Sequence, residues 1–170
     1  FTNGYRLGMI AATDNHSGTS GFGIRREDRT VGKDGPLYSR FSPKEAGTSL
    51  VAVRAEKLDR ESIFRNLYHR ATYATTGSRI LLDFTVNGHP MGSEIRAPGA
   101  VELVVTVEGT APIQAIRLVR NGEILHTAAA AGAGATVRFT DQSGGKPAWY
   151  YADIVQTDGE KAISSPVWVN

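Results

Sequence analysis

Asp14 and His16 are the residues whose types and spacing come nearest to a reactive site. They follow the short run Leu7-Gly8-Met9-Ile10-Ala11-Ala12-Thr13, with Asn15 between them and Gly18 just beyond. A bland apolar run of this length suits a strand buried on both faces, as in a parallel sheet covered by helices. Such sheets meet their ligands at the carboxyl ends of the strands. Side chains two apart on an extended chain leave the same face. A carboxylate oxygen and a neutral imidazole nitrogen would then point together, as half of a divalent-metal site. The plainer reading is a turn, since Asp followed by Asn is common turn chemistry. Spacing alone leaves both open.

The elements that would hold these residues are set by the rest of the chain. Its 170 residues are 41% hydrophobic and 21% charged, enough for one domain or two small ones. The net charge of +2 is too small to argue for nucleic acid, and no basic helix interleaved with aromatics is present. With no cysteine there is neither a disulfide framework nor a thiolate zinc site. No apolar run approaches the roughly 20 residues of a membrane helix. Nothing in the sequence assigns a compartment.

Residues 17–49 are rich in glycine and charge, with Arg25, Arg26, Arg29, Lys33, Arg40 and Lys44 partly offset by Glu27, Asp28, Asp34 and Glu45. Such a stretch is either a flap carrying cations to an anionic substrate or a solvated loop of mixed charge, and the loop is the preferred reading. Leu50 to Ala55 reads as a strand. Asp59 reads as an N-cap, with Glu61 complementing the dipole of a helix from about Arg60 to Arg70. Ile63, Phe64, Leu67 and Ala71 fall at helical spacing and form its expected buried face. His69 sits late in that helix, where a surface role fits better than ligation.

Thr72 to Arg79 is a cluster of hydroxyls with Gly77, lying beyond a helix end. As a phosphate cradle it is weak, because anion sites form at helix N-termini rather than exits. Arg79 is its candidate anion contact. From Ile80 the pattern is β. Leu82, Phe84 and Val86 alternate with Leu81, Asp83 and Thr85 up to Asn87-Gly88, and Val101, Leu103, Val105 and Val107 share one face. Asn121-Gly122 is the strongest hairpin signal, and Thr157 to Glu160 marks another. Ala128 to Ala135 has too little side chain to pack and reads as a loop or poor edge. Pro166 argues for an edge or bulge in the last strand. His89 and His126 lie in or beside hairpins and read as surface residues. In Trp149-Tyr150-Tyr151, strand alternation sends Tyr150 to the opposite face from its neighbours.

Three blocks carry a family resemblance: Gly4-Tyr5-Arg6-Leu7-Gly8, Thr13-Asp14-Asn15-His16-Ser17-Gly18, and Arg70-Ala71-Thr72-Tyr73-Ala74-Thr75-Thr76-Gly77-Ser78-Arg79-Ile80. They resemble the C-terminal part of PHP-type (polymerase and histidinol phosphatase-like) metal-dependent hydrolases. More narrowly, they resemble an uncharacterised bacterial branch in which the barrel is followed by a β-rich tail. The family's last metal motif is Ser-Asp-x-His at the end of a late barrel strand. Thr13 stands here in place of the serine, and the resemblance implies Asp14 and His16 as ligands of divalent ions (Zn, Mn or Fe) in the parent protein. The family's other ligands, beginning with a His-x-His, have no counterpart in this chain, which opens on Phe1. The expectation is a piece of a longer protein whose partner is its own missing N-terminal part.

The expected fold class is therefore α+β. Residues 1–79 would be an incomplete, barrel-derived α/β segment of strand, long loop, strand and helix. Residues 80–170 would be an immunoglobulin-like or fibronectin-like β-sandwich. The first function this implies is that of a phosphoesterase-like hydrolase acting on a phosphorylated small molecule through a metal-activated hydroxide. The fragment alone would be inactive, and without its own metal, since a catalytic zinc usually takes three protein ligands. The alternative is a sandwich that binds a protein partner or glycan with no catalytic role, because fold does not dictate function. Between glycan binding and simply covering the barrel flank, the lack of a continuous aromatic stripe favours covering. Strand edges left bare offer a route to dimers.

Overall fold

The computed structural model describes residues 4–12, 49–142 and 146–170. Among these, one short helix accompanies two β-sheets that pack face to face around a shared core. β1 (Leu50–Val53), α1 (Arg60–Tyr68) and β2 (Thr72–Thr75) come first. β3 (Leu81–Val86), β4 (His89–Pro90), β5 (Glu94–Ile95), β6 (Val101–Glu108), β7 (Ile113–Arg120) and β8 (Glu123–Ala128) follow. β9 (Gly134–Asp141), β10 (Ala148–Gln156), β11 (Lys161–Ser164) and β12 (Val167–Val169) complete the order.

The smaller sheet runs β4-β3-β6-β9, all antiparallel. In the larger sheet β10 is the hub. One of its sides pairs with β7, which in turn carries β8. Its other side pairs with β11 near Ile154 and with β12 near Trp149. Pro166 lies in the break between β11 and β12, as a residue without an N–H requires. β11 continues the sheet to β2 and β1, while β12 pairs in parallel with β5.

Alternation explains the core. Leu82, Phe84 and Val86 of β3 and Val101, Leu103, Val105 and Val107 of β6 turn inward against Ile116, Leu118, Tyr150, Ala152 and Ile154. A β-sandwich is the result. Asn87-Gly88 and Asn121-Gly122 each have two successive positive φ angles (49° and 76°, then 52° and 91°), the type I′ geometry that matches strand twist. The Ala/Gly tract ends in β9, and before it the backbone of Gly132 and Ala133 approaches closely enough to accept from Ile113 and Gly109.

Two expectations are corrected. The run from Leu7 is not a strand with both faces buried: residues 5–12 belong to no sheet, and Leu7 and Ile10 are 59% and 69% exposed. The covered parallel neighbours that such a strand needs are absent among the described residues. β1 and β2 are instead antiparallel and hydrogen-bond onto the sandwich through β11, across the boundary drawn at residue 80. The helix forms where expected, and Asp59 accepts from Ser62 N at 2.7 Å. Half of its expected apolar face is turned inward, Ala71 being buried and Ile63 half-buried, and half is not. α1 packs on β1 with Ser62 buried and Ile63 and Asn66 half-buried, while Phe64 and Leu67 look outward.

At one end of the core, the Tyr150 hydroxyl donates to Asp141 Oδ2 at 2.8 Å, and Arg120 Nε stands 3.4 Å from the same oxygen. Burial, then the adjacent carboxylate, hold the Tyr150 hydroxyl well above its ordinary value of 10.0. In the unfolded chain this proton leaves near pH 10, whereas the folded state keeps it. Its contribution is therefore complete below about pH 10 and lost as pH rises further. Tyr150→Phe is expected to cost about 1 kcal/mol at neutral pH and to flatten the alkaline loss of stability. Urea unfolding at about pH 9 and about pH 11 measures this. Parallel alkaline losses in both proteins would refute it.

Candidate functional site

Of the sequence-derived site residues, Asp14 and His16 lie outside the described residues, as does the basic stretch 17–48. Arg79 is exposed in the loop between β2 and β3. What the structure does resolve is how the chain is delivered to residue 12. Residues 5–9 lie against the larger sheet through Arg6 and Met9. Without a strand partner, the Arg6 carbonyl and both backbone groups of Met9 are satisfied by side chains.

At Met9 this takes the form of a closed ring. Met9 N–H donates to Ser165 Oγ at 2.7 Å, and Thr72 Oγ1 donates to the Met9 carbonyl at 2.7 Å. The two hydroxyl oxygens are 3.0 Å apart. With the Thr72 proton committed to Met9, the Ser165 hydroxyl donates to Thr72 and closes the cycle. Both hydroxyls are buried, and Ser165 N also donates to Thr72 O at 3.0 Å.

A second clamp lies at the helix exit. Arg70 Nη1 donates to Arg6 O at 3.3 Å, Nε to Gly92 O at 3.2 Å, and Nη2 to Glu94 Oε1 at 2.9 Å. Its guanidinium lies over the Trp168 ring at 5.1 Å, and that of Arg6 lies over the same ring at 5.8 Å. Arg6 Nη2 also donates to Asn170 Oδ1 at 3.1 Å. Planar cations stack well on indole faces.

Arg70 holds this position at a backbone cost. Arg70 N donates to Leu67 O and Ala71 N to Asn66 O, which is the Schellman ending, and Arg70 occupies its left-handed position with φ 61°. Glycine is the relaxed choice there. Gly92, at φ 90°, is needed beneath it: a Cβ would come within 2.4 Å of the His69 carbonyl oxygen.

Four of the hydroxyls after the helix are used structurally. Thr72 is in the ring, Tyr73 OH donates to Ile80 O at 3.0 Å, and Thr75 Oγ1 accepts from Gly77 N. Thr76 donates to Glu160 Oε2 at 2.6 Å and accepts from Lys161 N at 2.9 Å, joining β2 to the β10–β11 hairpin. Thr72 and Arg79 flank opposite ends of β2, so the residue 9 anchor and the candidate anion contact are not brought together. A groove of about 290 Å³ lies beside β1, lined by Ala52, Tyr73, Leu82 and Thr106. Its charged lining is an Arg54–Asp83 ion pair, whose partners neutralise one another, together with Glu108.

His69 is exposed against Tyr68, His89 is exposed, and His126 stacks on Phe139 at 4.7 Å. Among the described residues no group of three or more His, Asp or Glu stands together to hold an ion. Sequence reasoning missed both clamps. Their one legible sign is an arginine where a helix exit ordinarily takes glycine.

The fold and its hydroxyl clamps define a β-sandwich protein with an N-terminal segment strapped to its larger sheet. Residues 1–104 match the family described as a protein of unknown function (DUF3604), and the chain belongs to that family. It is 35% identical over 158 residues to an uncharacterized protein of Chlamydia trachomatis serovar D, covering 81% of this chain and 25% of that one. An uncharacterized protein of Chlamydia pneumoniae is 33% identical over 162 residues, with 85% of this chain and 26% of that one covered. The chain thus spans about a quarter of the length of these relatives. Among solved structures, the fibronectin(III)-like modules of CbhA from Clostridium thermocellum are 18% identical, with a TM-score of 0.34 and coverage of 52% of this chain and 91% of that one.

Two substitutions test the clamps. Ser165→Ala opens the ring, with an expected loss of about 1–3 kcal/mol and faster amide exchange at Met9. Hydrogen-exchange mass spectrometry reads this directly, and unaltered exchange over residues 5–10 would contradict it. Arg70→Ala and Arg70→Gly both delete the guanidinium, but only glycine relieves the backbone. The glycine variant should therefore be the more stable by about 1 kcal/mol in chemical denaturation, and equal stabilities would show that no strain resides there.

Proposed function

We propose that this chain is the sandwich-bearing part of a metal-dependent, phosphoesterase-like hydrolase in which Asp14 and His16 supply two of the metal donors. The observation that supports it is the strap. The backbone is fixed at Met9 by two buried hydroxyls, five residues before Asp14, so the chain sets out toward the Asp-x-His motif from an anchored point. Catalytic ligands need such support, because a loosely held donor loses affinity and geometry together. On this reading the sandwich, of immunoglobulin-like or fibronectin-like kind and with β1 and β2 in its larger sheet, covers the flank of a catalytic domain supplied by the rest of the polypeptide.

The donor chemistry fits half a site. The Asp14 carboxylate would offset cationic charge, and His16 would offer a neutral nitrogen whose other N–H needs an acceptor. A bound ion would supply a hydroxide at neutral pH and polarise the phosphoryl oxygens. Arg79, exposed beyond the far end of β2, would meet an anionic substrate only if the rest of the protein folded it toward the site. Two donors fall short of the three that a catalytic zinc takes, so the others come from the longer polypeptide. Activity and substrate thus belong to the whole protein.

A second reading is a docking module without catalysis, binding a protein partner or glycan. It is favoured by Trp149 and Tyr151, whose half-buried rings stack at 5.6 Å and 7° on the outer sheet face, with Tyr150 buried behind them.

Metal separates the two. Full-length protein is expected to purify with a divalent ion, with Asp14→Ala and His16→Ala each weakening retention by at least about tenfold, while residues 1–170 alone hydrolyse no phosphate ester. Elemental analysis with a phosphatase assay measures both. Metal content indifferent to the two substitutions would sink the hydrolase reading.

A further inference from the structure

We propose that the outward face of α1 is a docking surface for another part of the same polypeptide, the portion that longer family members carry outside the region matching this chain. Phe64, Leu67 and Tyr68 stand at i, i+3 and i+4 and share one side of the helix. Phe64 is 69% exposed and Tyr68 76%, and Leu58, just before the N-cap, is 97% exposed. Meanwhile the side of the helix turned to β1 buries Ser62. A surface helix ordinarily does the reverse, hiding its apolar stripe and showing its hydroxyls. The inversion marks a helix whose apolar side has a neighbour beyond the described residues.

The same orientation continues past the helix exit. Along the strapped segment, Arg6 lies over Trp168 and Gly8 sits against Arg70, while Leu7 is exposed. Charged Arg60, Glu61 and Arg65 lie beside the apolar stripe, as the polar rim of an interface does.

Two observations select the occupant. First, large exposed apolar residues are concentrated in the family-matched part. Outside residues 1–104, Ile124 is the one large exposed apolar residue among those described. Second, this chain spans about a quarter of the length of its relatives, so most of their polypeptide is available to cover the face. An intrachain neighbour accounts for both. A separate partner protein would place no constraint on which part of the chain carries the apolar surface. The occupant is therefore an apolar surface of the remaining polypeptide, packed against Phe64, Leu67 and Tyr68.

The test uses full-length protein carrying the photo-cross-linker p-benzoylphenylalanine at position 64 or 68, with a third variant at position 124 as the control. Both helix positions are exposed and aromatic, so the probe replaces a similar ring. Irradiation and peptide mapping are expected to join positions 64 and 68 to peptides outside residues 1–170 of the same molecule, with that mass shift lost at position 124. Mixing isotope-labelled and unlabelled protein separates links within one molecule from links between two. Cross-links confined to residues 1–170, links to a second copy, or no cross-link at 64 and 68 would each overturn the proposal. The readout is position alone and involves no metal, so its failure and that of the hydrolase reading are distinguishable.

Discussion

A peptide segment that lies on a sheet without joining it must find partners for its backbone elsewhere, and that constraint organises the amino-terminal part of this protein. Met9 finds them in two buried hydroxyls far apart in sequence, Thr72 of β2 and Ser165 in the break after β11. The cycle leaves none of its four groups to water. Each hydroxyl both donates and accepts, so the arrangement needs a serine or threonine at both positions. Because Ser165 is also bonded to Thr72 through its backbone, the ring can form only once β2 has docked beside β11. The strap thus depends on the sandwich.

The sandwich was legible because its signals are local. Alternation in β3 and β6, two Asn-Gly turns and a hairpin at Thr157 to Glu160 each depend on a handful of neighbouring residues, and all appear where they were read. Asp59 as a cap and Tyr150 on the opposite face from Trp149 and Tyr151 belong to the same class. The failures share a different cause. The run Leu7 to Ala12 has the composition of a buried strand, but burial depends on sheet neighbours that composition does not report. Phe64 and Leu67 have the spacing of a core face, but spacing cannot say on which side the core lies.

The candidate site was legible only as residue types. Asp14-x-His16 and Arg79 were read from chemistry and from a family resemblance, while the geometry around Asp14 and His16 lies outside the described residues. The hydroxyl block from Thr72 is instructive. It has the look of a ligand-binding loop, yet its side chains are committed to Met9, Ile80, Gly77 and Glu160, contacts whose sequence separations run from two residues to more than eighty. Residue type announces the capacity to bond and is silent about the partner.

The interruption at Pro166 has a consequence for how the molecule comes apart. By splitting one edge of β10 between two shorter strands, it leaves β11 as the strand that ladders the β1–β2 corner to the sheet, with Ser165, in the break itself, adding one backbone bond to Thr72. The corner can therefore peel as its own cooperative unit with the rest of the sandwich shut. Breathing of that corner would open the Thr72–Ser165 hold on Met9 without melting the protein.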